Sequence, residues 1–256
     1  MNADAERLKA AWEGEERIAH VHGWDFSHIR GRYVEEDDLP WDFAEVVQGY
    51  RNDGMRLLDM ETGGGEFLLS LGHPSGNTAA TEGYGPNVEL CREVLLPLGI
   101  DFREADGSDR IPFPDESFDI VTNRHGDYDV AELWRVLRPG GLFLTQQVGA
   151  ENDRELVRLL LPHATELPYP EQYLDARRSE LLGKGFEVLE GGEAHRPIRF
   201  FDVGALVWFA RVVEWEFPGF SVESCFERLC VAQETLERTG AIEGSIHRFY
   251  VVARRK

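Results

Sequence analysis

The run Leu57-Leu58-Asp59-Met60-Glu61-Thr62-Gly63-Gly64-Gly65-Glu66-Phe67-Leu68 constrains this 256-residue chain more than any other. A short apolar stretch meets an acidic residue, then three successive glycines, then a new apolar periodicity at Phe67, Leu68 and Leu71. This pattern reads as strand, tight turn and helix. Glycine permits positive φ, and without a Cβ it lets a ligand lie against the main chain. The helix that follows is expected to turn its unpaired N–H groups toward the same spot. A nucleotide-like ligand is the expected occupant, with a purely structural turn as the alternative.

Three further stretches fall into place around it. Glu82 closes an expected strand, Thr78-Ala79-Ala80-Thr81-Glu82, and lies 82 − 63 = 19 residues beyond Gly63. That separation suits a carboxylate accepting hydrogen bonds from ribose hydroxyls. Asp106 follows a third strand, 101–104, and Ile111-Pro112-Phe113-Pro114-Asp115-Glu116-Ser117 leads into a fourth, 118–122. Residues 132–144 then supply a helix, a Pro139-Gly140-Gly141 turn and the start of a fifth strand, 141–147. Strands alternating with helices predict an α/β fold with a mainly parallel sheet. Ligands of such sheets lie outside the carboxyl ends of the strands, where Glu61, Glu82, Asp106 and Asn123 fall.

Taken together, these stretches resemble the class I methyltransferases that use S-adenosylmethionine, over about residues 55 to 148. The resemblance implies a Rossmann-like, seven-stranded, mainly parallel sheet with helices on both faces and the last strand antiparallel. It implies S-adenosylmethionine as cofactor, with Gly63 and Gly65 cradling its methionine part, Glu82 on the ribose and Asp106 facing the adenine amino group. Asp59, Glu61, Gly83, Gly107 and Asn123 complete the implied cofactor site. Glu61 departs from the pattern, standing where the family usually has its first glycine. Its side chain either crowds the methionine end or pairs with the ligand's amino group. The turn after Asp106 is one residue longer than the family's, and the segment 123–129 is shorter. His125, beside Asp127 and Tyr128, is the candidate base if the acceptor needs one, and a loop-lining role is its alternative.

The rest of the chain surrounds this unit. Residues 1–50 are expected to form a helical and aromatic lid segment, and 51–256 a methyltransferase domain with a helical insertion at about 199–240. Leu8, Trp12 and Ala19 predict an amphipathic helix over 4–19. The doubled Trp24-Asp25-Phe26 and Trp41-Asp42-Phe43 either pin this segment to the core or close over the ligand. A helix at 172–182, a sixth strand at 186–189, insertion helices at 203–216 and 222–238, and a final strand at 245–253 follow. Phe200, Phe201, Trp208, Phe209, Trp215 and Phe217 make the insertion apolar, fit for a pocket roof or a dimer interface. His195, Arg196 and Arg199 either grip an anionic group or are simply solvated.

Composition narrows the function classes. The net charge of −20, from 47 acidic against 27 basic residues, argues against a nucleic-acid substrate and favours a cationic ligand. Cys91, Cys225 and Cys230 lack metal-binding spacing, and His20, His22 and His28 lack Asp or Cys partners at ligand spacing, so no metal is expected. The N-terminus has no signal-peptide pattern, and the apolar run 203–213 is too short to span a bilayer. A cytoplasmic monomer or homodimer acting on a small molecule is expected. The reaction expected is in-line methyl transfer; a non-catalytic cofactor sensor and an NAD-dependent oxidoreductase are the rivals.

Overall fold

The computed structural model describes residues 3–21, 25–35, 38–107 and 110–256. Its strands are β1 (Tyr33–Val34), β2 (Leu57–Met60), β3 (Thr78–Glu82), β4 (Asp101–Glu104), β5 (Phe118–Arg124), β6 (Leu137–Val148), β7 (Phe186–Phe200) and β8 (Ile242–Arg255). They form one sheet in the order β1-β7-β8-β6-β5-β2-β3-β4. Strands β2 to β6 pair in parallel, and β8 runs antiparallel to both β6 and β7. The expected seven strands are present, and an eighth, β1, is added by the N-terminal segment pairing antiparallel with the end of β7.

The helices are α1 (Ala3–Ile18), α2 (Phe43–Tyr50), α3 (Glu66–Ser70), α4 (Gly85–Val94), α5 (Val130–Val136), α6 (Arg154–Leu160), α7 (Leu174–Gly183), α8 (Val203–Val212) and α9 (Val222–Thr239). Every residue of β2 and β3 is buried because helices cover both faces of the sheet. Alternation sends neighbours to opposite sides. Leu57, Ala80 and Ile120 pack with Phe43 of α2, Leu68 of α3 and Cys91 of α4, whereas Leu58, Ala79 and Val121 pack with Leu133 of α5 and Leu181 of α7. Asp42 caps α2, accepting the N–H groups of Ala44 and Glu45.

A third apolar cluster joins the N-terminal segment to the helical insertion. Trp12 of α1 packs on Phe226 of α9, and Phe26 on Trp208 and Phe209 of α8. Arg32 bridges Glu15 and Asp202 at 2.8 and 2.7 Å. Within the insertion Phe200, Trp208, Phe209 and Phe217 are buried, while Phe201 and Trp215 remain exposed. Of the doubled aromatic motif, Phe26, Trp41 and Phe43 are packed against the body, Trp41 on Tyr250 and Phe43 stacked on Phe67. Trp24 lies outside the described residues. No helix among the described residues is long and apolar enough to cross a membrane.

Asp153, which precedes α6, yields a stability prediction. It is 1% exposed, has φ +57°, and its Oδ2 accepts the Asn152 amide at 2.7 Å while Oδ1 has no partner. Burial first, then Glu216, pushes its carboxyl well above the usual range. The folded state therefore holds a proton that the unfolded chain releases near the ordinary carboxylate value. The stabilisation this provides is complete below that value and is lost as pH rises toward the folded one. Asp153→Asn is expected to match the wild type near pH 4 and to exceed it at pH 8. The gain is about 1.4 kcal/mol for every tenfold by which folding tightens the carboxyl's hold on its proton. Urea unfolding at the two pH values measures it.

Candidate cofactor cleft

The sheet order reverses between β2 and β5, so a crevice opens beyond their carboxyl ends. A cleft of about 440 Å³ lies there, lined by Asp59, Glu61, Gly63, Glu66, Glu82, Arg124 and His125, among others. Val21 of the N-terminal segment, Val212 at the end of α8, and Glu214 and Trp215 after it also line the cleft.

The glycine turn is held from several directions. Gly63 and Gly65 have φ of +63° and +87°, which glycine adopts without strain. A Cβ on Gly83 would lie 2.7 Å from the Asp106 backbone, so that position needs glycine, whereas one on Gly64 would meet only the ends of the Glu66 and Leu90 side chains. Glu82 Oε2 accepts the Gly63 N–H at 2.7 Å, and its Oε1 accepts those of Gly83 and Tyr84 at 3.0 and 2.8 Å. Burial raises the Glu82 carboxyl, and these N–H groups oppose the shift. Cys91, whose thiol burial pushes up to about 12, donates to the Gly63 carbonyl. Asp59 is buried, accepting Thr62 Oγ1 at 2.6 Å and Thr122 Oγ1 at 2.7 Å. Burial takes its carboxyl up to about 6 while those two hydroxyls oppose the rise.

The Gly63 and Gly64 donors of the turn are thus committed to the protein's own carboxylates, and the Gly65 N–H to the Thr62 carbonyl. Gly64 N–H goes to Glu66 Oε2 at 3.0 Å, as Gly63 N–H goes to Glu82. The α3 helix is only five residues long, so the expected dipole contribution is small. A phosphate would find these N–H groups occupied and acidic side chains around it. A cation, by contrast, meets Glu66 and Glu82 in a lining that also holds Arg124, with Glu61 a further anion once ionised. A side-chain bond to Asn87 joins these N–H groups on the Glu82 carboxyl, so a ribose hydroxyl would share that carboxyl with Asn87 or take its place. The residues fit a cationic nucleoside.

Glu61 has φ +53°, a left-handed conformation that costs a non-glycine residue about 1 to 2 kcal/mol. Its side chain runs between two other glycines. A Cβ on Gly126 would lie 2.3 Å from the Glu61 Cβ, and one on Gly107 3.1 Å from its Cγ. Burial, then Glu82 and Asp106, pushes the Glu61 carboxyl up to about 8. The Gly107 N–H is bonded to that carboxyl, and Oε1 is buried without a partner.

The other expected site residues divide by position. Asp106 is exposed and backs on to Gly83 beside Glu61. Asn123 is fully buried, accepting Gln147 Nε2 at 2.6 Å, so it braces the floor rather than facing the cleft. His125 lines the cleft with φ +63°. Trp41 Nε1 donates to Gln146 Oε1 at 2.8 Å, and Gln146 Nε2 lies 3.3 Å from His125 Nε2. The amide can only donate, which makes His125 Nε2 the acceptor. Glu66, Arg124 and Trp215 were not singled out as cofactor contacts from the sequence. Beside the cleft, a recess is lined by Leu39, Trp41, Phe43, Phe67, Arg124 and Gln146, with the Arg124 guanidinium over Phe67.

Among the described residues, His28, His73, His195 and His247 are engaged in hydrogen bonds. His28 pairs with Glu15 at 2.7 Å, and His22 lies outside the described residues. Glu151, His195 and His247 bring ligand atoms within 4.8 Å of one another. His247 Nδ1 accepts the Glu151 N–H and its Nε2 reaches Glu193, while its ring stacks on His195 at 4.1 Å. Arg199 pairs with Glu243 at 2.9 Å.

Fold and cleft together define an α/β protein with an acid-lined cleft at a switch point of the sheet. Residues 58–145 match the family of the methyltransferase domain. The chain is 35% identical over 115 residues to a demethylmenaquinone methyltransferase of Deinococcus radiodurans, covering 41% of this chain and 47% of that protein. It is 30% identical over 134 residues to a ubiquinone/menaquinone biosynthesis C-methyltransferase of Cupriavidus metallidurans, covering 45% and 55%. The chain thus spans about half the length of these curated relatives. A putative methyltransferase from Bacillus halodurans superposes with a TM-score of 0.57 at 19% identity, over 84% of this chain and 98% of that one. A [4+2]-cyclase superposes with a TM-score of 0.51 at 16% identity, over 97% and 92%. Residues 58–145 are thus similar to a methyltransferase domain, and the fold is that of the solved methyltransferase-like structures.

Proposed function

We propose that the cleft binds S-adenosylmethionine and that the protein transfers a methyl group to a small molecule. The observation that carries this reading is the commitment of the Gly63 and Gly64 N–H groups to Glu82 and Glu66. It leaves an acidic wall suited to a sulfonium cation and unsuited to a dinucleotide's pyrophosphate. When bound, the cofactor supplies an electrophilic methyl carbon. The chain's part is to grip the nucleoside at Glu82 and Asp106, hold the acceptor in line and exclude water with Val21, Val212 and Trp215.

The recess between Trp41, Phe43, Phe67 and Arg124 is the acceptor's place in this reading. Its aromatic walls suit a flat ring, in keeping with the quinone-related names of the relatives. His125 would take a proton from an acidic acceptor after releasing the Gln146 amide. The three free thiols agree with a cytoplasmic setting. Calorimetric titration with S-adenosylmethionine, S-adenosylhomocysteine and NAD tests the reading. Micromolar binding of the first two and none of NAD is expected. The reverse ranking would favour an oxidoreductase, and cofactor binding without turnover over a broad acceptor screen would reduce the protein to a sensor.

A further inference from the structure

The residue that departs from the family pattern sits against two glycines. Glu61 keeps a left-handed backbone; a Cβ on Gly126 would lie 2.3 Å from its Cβ, whereas one on Gly107 would meet the Asp127 carbonyl at 2.2 Å and the Glu61 Cγ at 3.1 Å. Its carboxyl is therefore placed rather than tolerated, on the wall of the cleft and with Oε1 unpartnered. The groups that face it come from every neighbouring element: Glu82 from the end of β3, Asp106 and the Gly107 N–H after β4, and Asp127 after β5. Glu66, Glu214, Arg124 and His125 stand farther around the same wall.

We infer that Glu61 sets the charge preference of the cleft, losing its proton when a cationic ligand enters and regaining it when the ligand is neutral. This rests on the cofactor reading above. Three acidic neighbours and partial burial make a lone extra anion unfavourable, and the carboxyl is pushed up to about 8. In the empty cleft near pH 7 it is therefore mostly protonated. A sulfonium ligand adds one positive charge to a wall of acids, which favours ionisation of Glu61. The demethylated thioether keeps the α-ammonium and α-carboxylate that both ligands share but lacks the sulfonium charge, so it favours ionisation of Glu61 less. The proton moves between the Glu61 carboxyl and bulk buffer, and no covalent bond other than O–H is made or broken. The same device favours release of product over substrate, because the neutral thioether meets an uncharged Glu61 and gains no ion pair there.

The test is calorimetry at pH 7 in phosphate and in Tris, whose ionisation enthalpies differ, so that the protons exchanged on binding can be counted. S-adenosylmethionine and S-adenosylhomocysteine are titrated into the wild type, Glu61→Gln and Glu61→Gly. The wild type is expected to release roughly one proton more with the sulfonium than with the thioether. Both variants should abolish that difference while still binding, and their preference for the sulfonium should fall on the order of tenfold. An equal proton count in wild type and Glu61→Gln overturns the inference and leaves the cofactor reading standing. Failure of the wild type to bind either ligand overturns the cofactor reading itself.

Discussion

Glu82→Ala is expected to weaken S-adenosylmethionine binding by on the order of 10² to 10³-fold, a loss of about 3 to 4 kcal/mol. The side chain is 3% exposed and accepts three backbone N–H groups, one of which belongs to the glycine turn. Hydrogen bonds to a charged group contribute about 1.5 to 3 kcal/mol each, and buried donors left alone cost their desolvation as well. The truncation therefore removes the ribose acceptor and also releases Gly63 from its position. Glu82→Gln separates the two effects. Its amide keeps one acceptor for Gly83 and Tyr84 but turns an NH2 toward Gly63, so binding should fall less than in Glu82→Ala and the fold should be retained. Asp106→Ala, at an exposed position, should cost about tenfold. Titration of all three against the wild type checks the order. Wild-type affinity in Glu82→Ala would remove Glu82 from the cofactor site and leave it as a brace of the turn.

Glu82 also illustrates what the sequence discloses. Its spacing from Gly63 and the strand 78–82 were legible because both depend on local periodicity and on the geometry of one strand-turn-helix unit. Strand 101–104 and the second insertion helix were legible for the same reason, while the first, expected over 203–216, ends at Val212. The commitment of the Gly63 N–H to Glu82 was not, since it depends on how closely two parallel strands bring their ends. Strand β7 was expected over four residues and runs for fifteen, Phe186–Phe200. Glu190, Gly191, Gly192 and Pro197 weaken the strand signal, yet pairing with β8 along its length overrides that propensity. Helix α2 was absorbed into an aromatic lid motif although Asp42 and Glu45 are spaced as an N-terminal cap. Helix α6 was missed because only seven residues carry it. The placement of Glu61 was the least legible, since its Cβ lies against Gly126, 126 − 61 = 65 residues downstream, where a second Cβ would be 2.3 Å away.

Breaking the buried pair Arg154–Glu216 should be the most destabilising change short of the sheet itself. The two side chains are 8% and 5% exposed and meet at 2.7 Å, and Arg154 also donates to the carbonyls of Asn152 and Glu166. Burial raises the Glu216 carboxyl, and Arg154 is the chief group opposing that rise. Removing either partner alone leaves a charge buried without its counterpart, for which the expected loss is about 3 to 5 kcal/mol. Arg154→Ala should be the worse of the two, because Glu216 would then face the buried Asp153 with only Arg248 nearby. The double variant Arg154→Met with Glu216→Leu should recover most of the loss, since an apolar pair of similar volume needs no desolvation of charge. Glu216 directly follows Glu214 and Trp215 on the cleft wall, so the pair fixes that wall as well as the core. Arg154→Ala is accordingly expected to weaken cofactor binding at temperatures where it is still folded, while the double variant, which restores packing but not the tether to the Asn152 and Glu166 carbonyls, recovers stability before affinity. Urea midpoints and cofactor titrations on the three variants check both halves. Unchanged midpoints in the single variants would mean that water reaches the pair and that the cleft wall is held by its apolar neighbours alone.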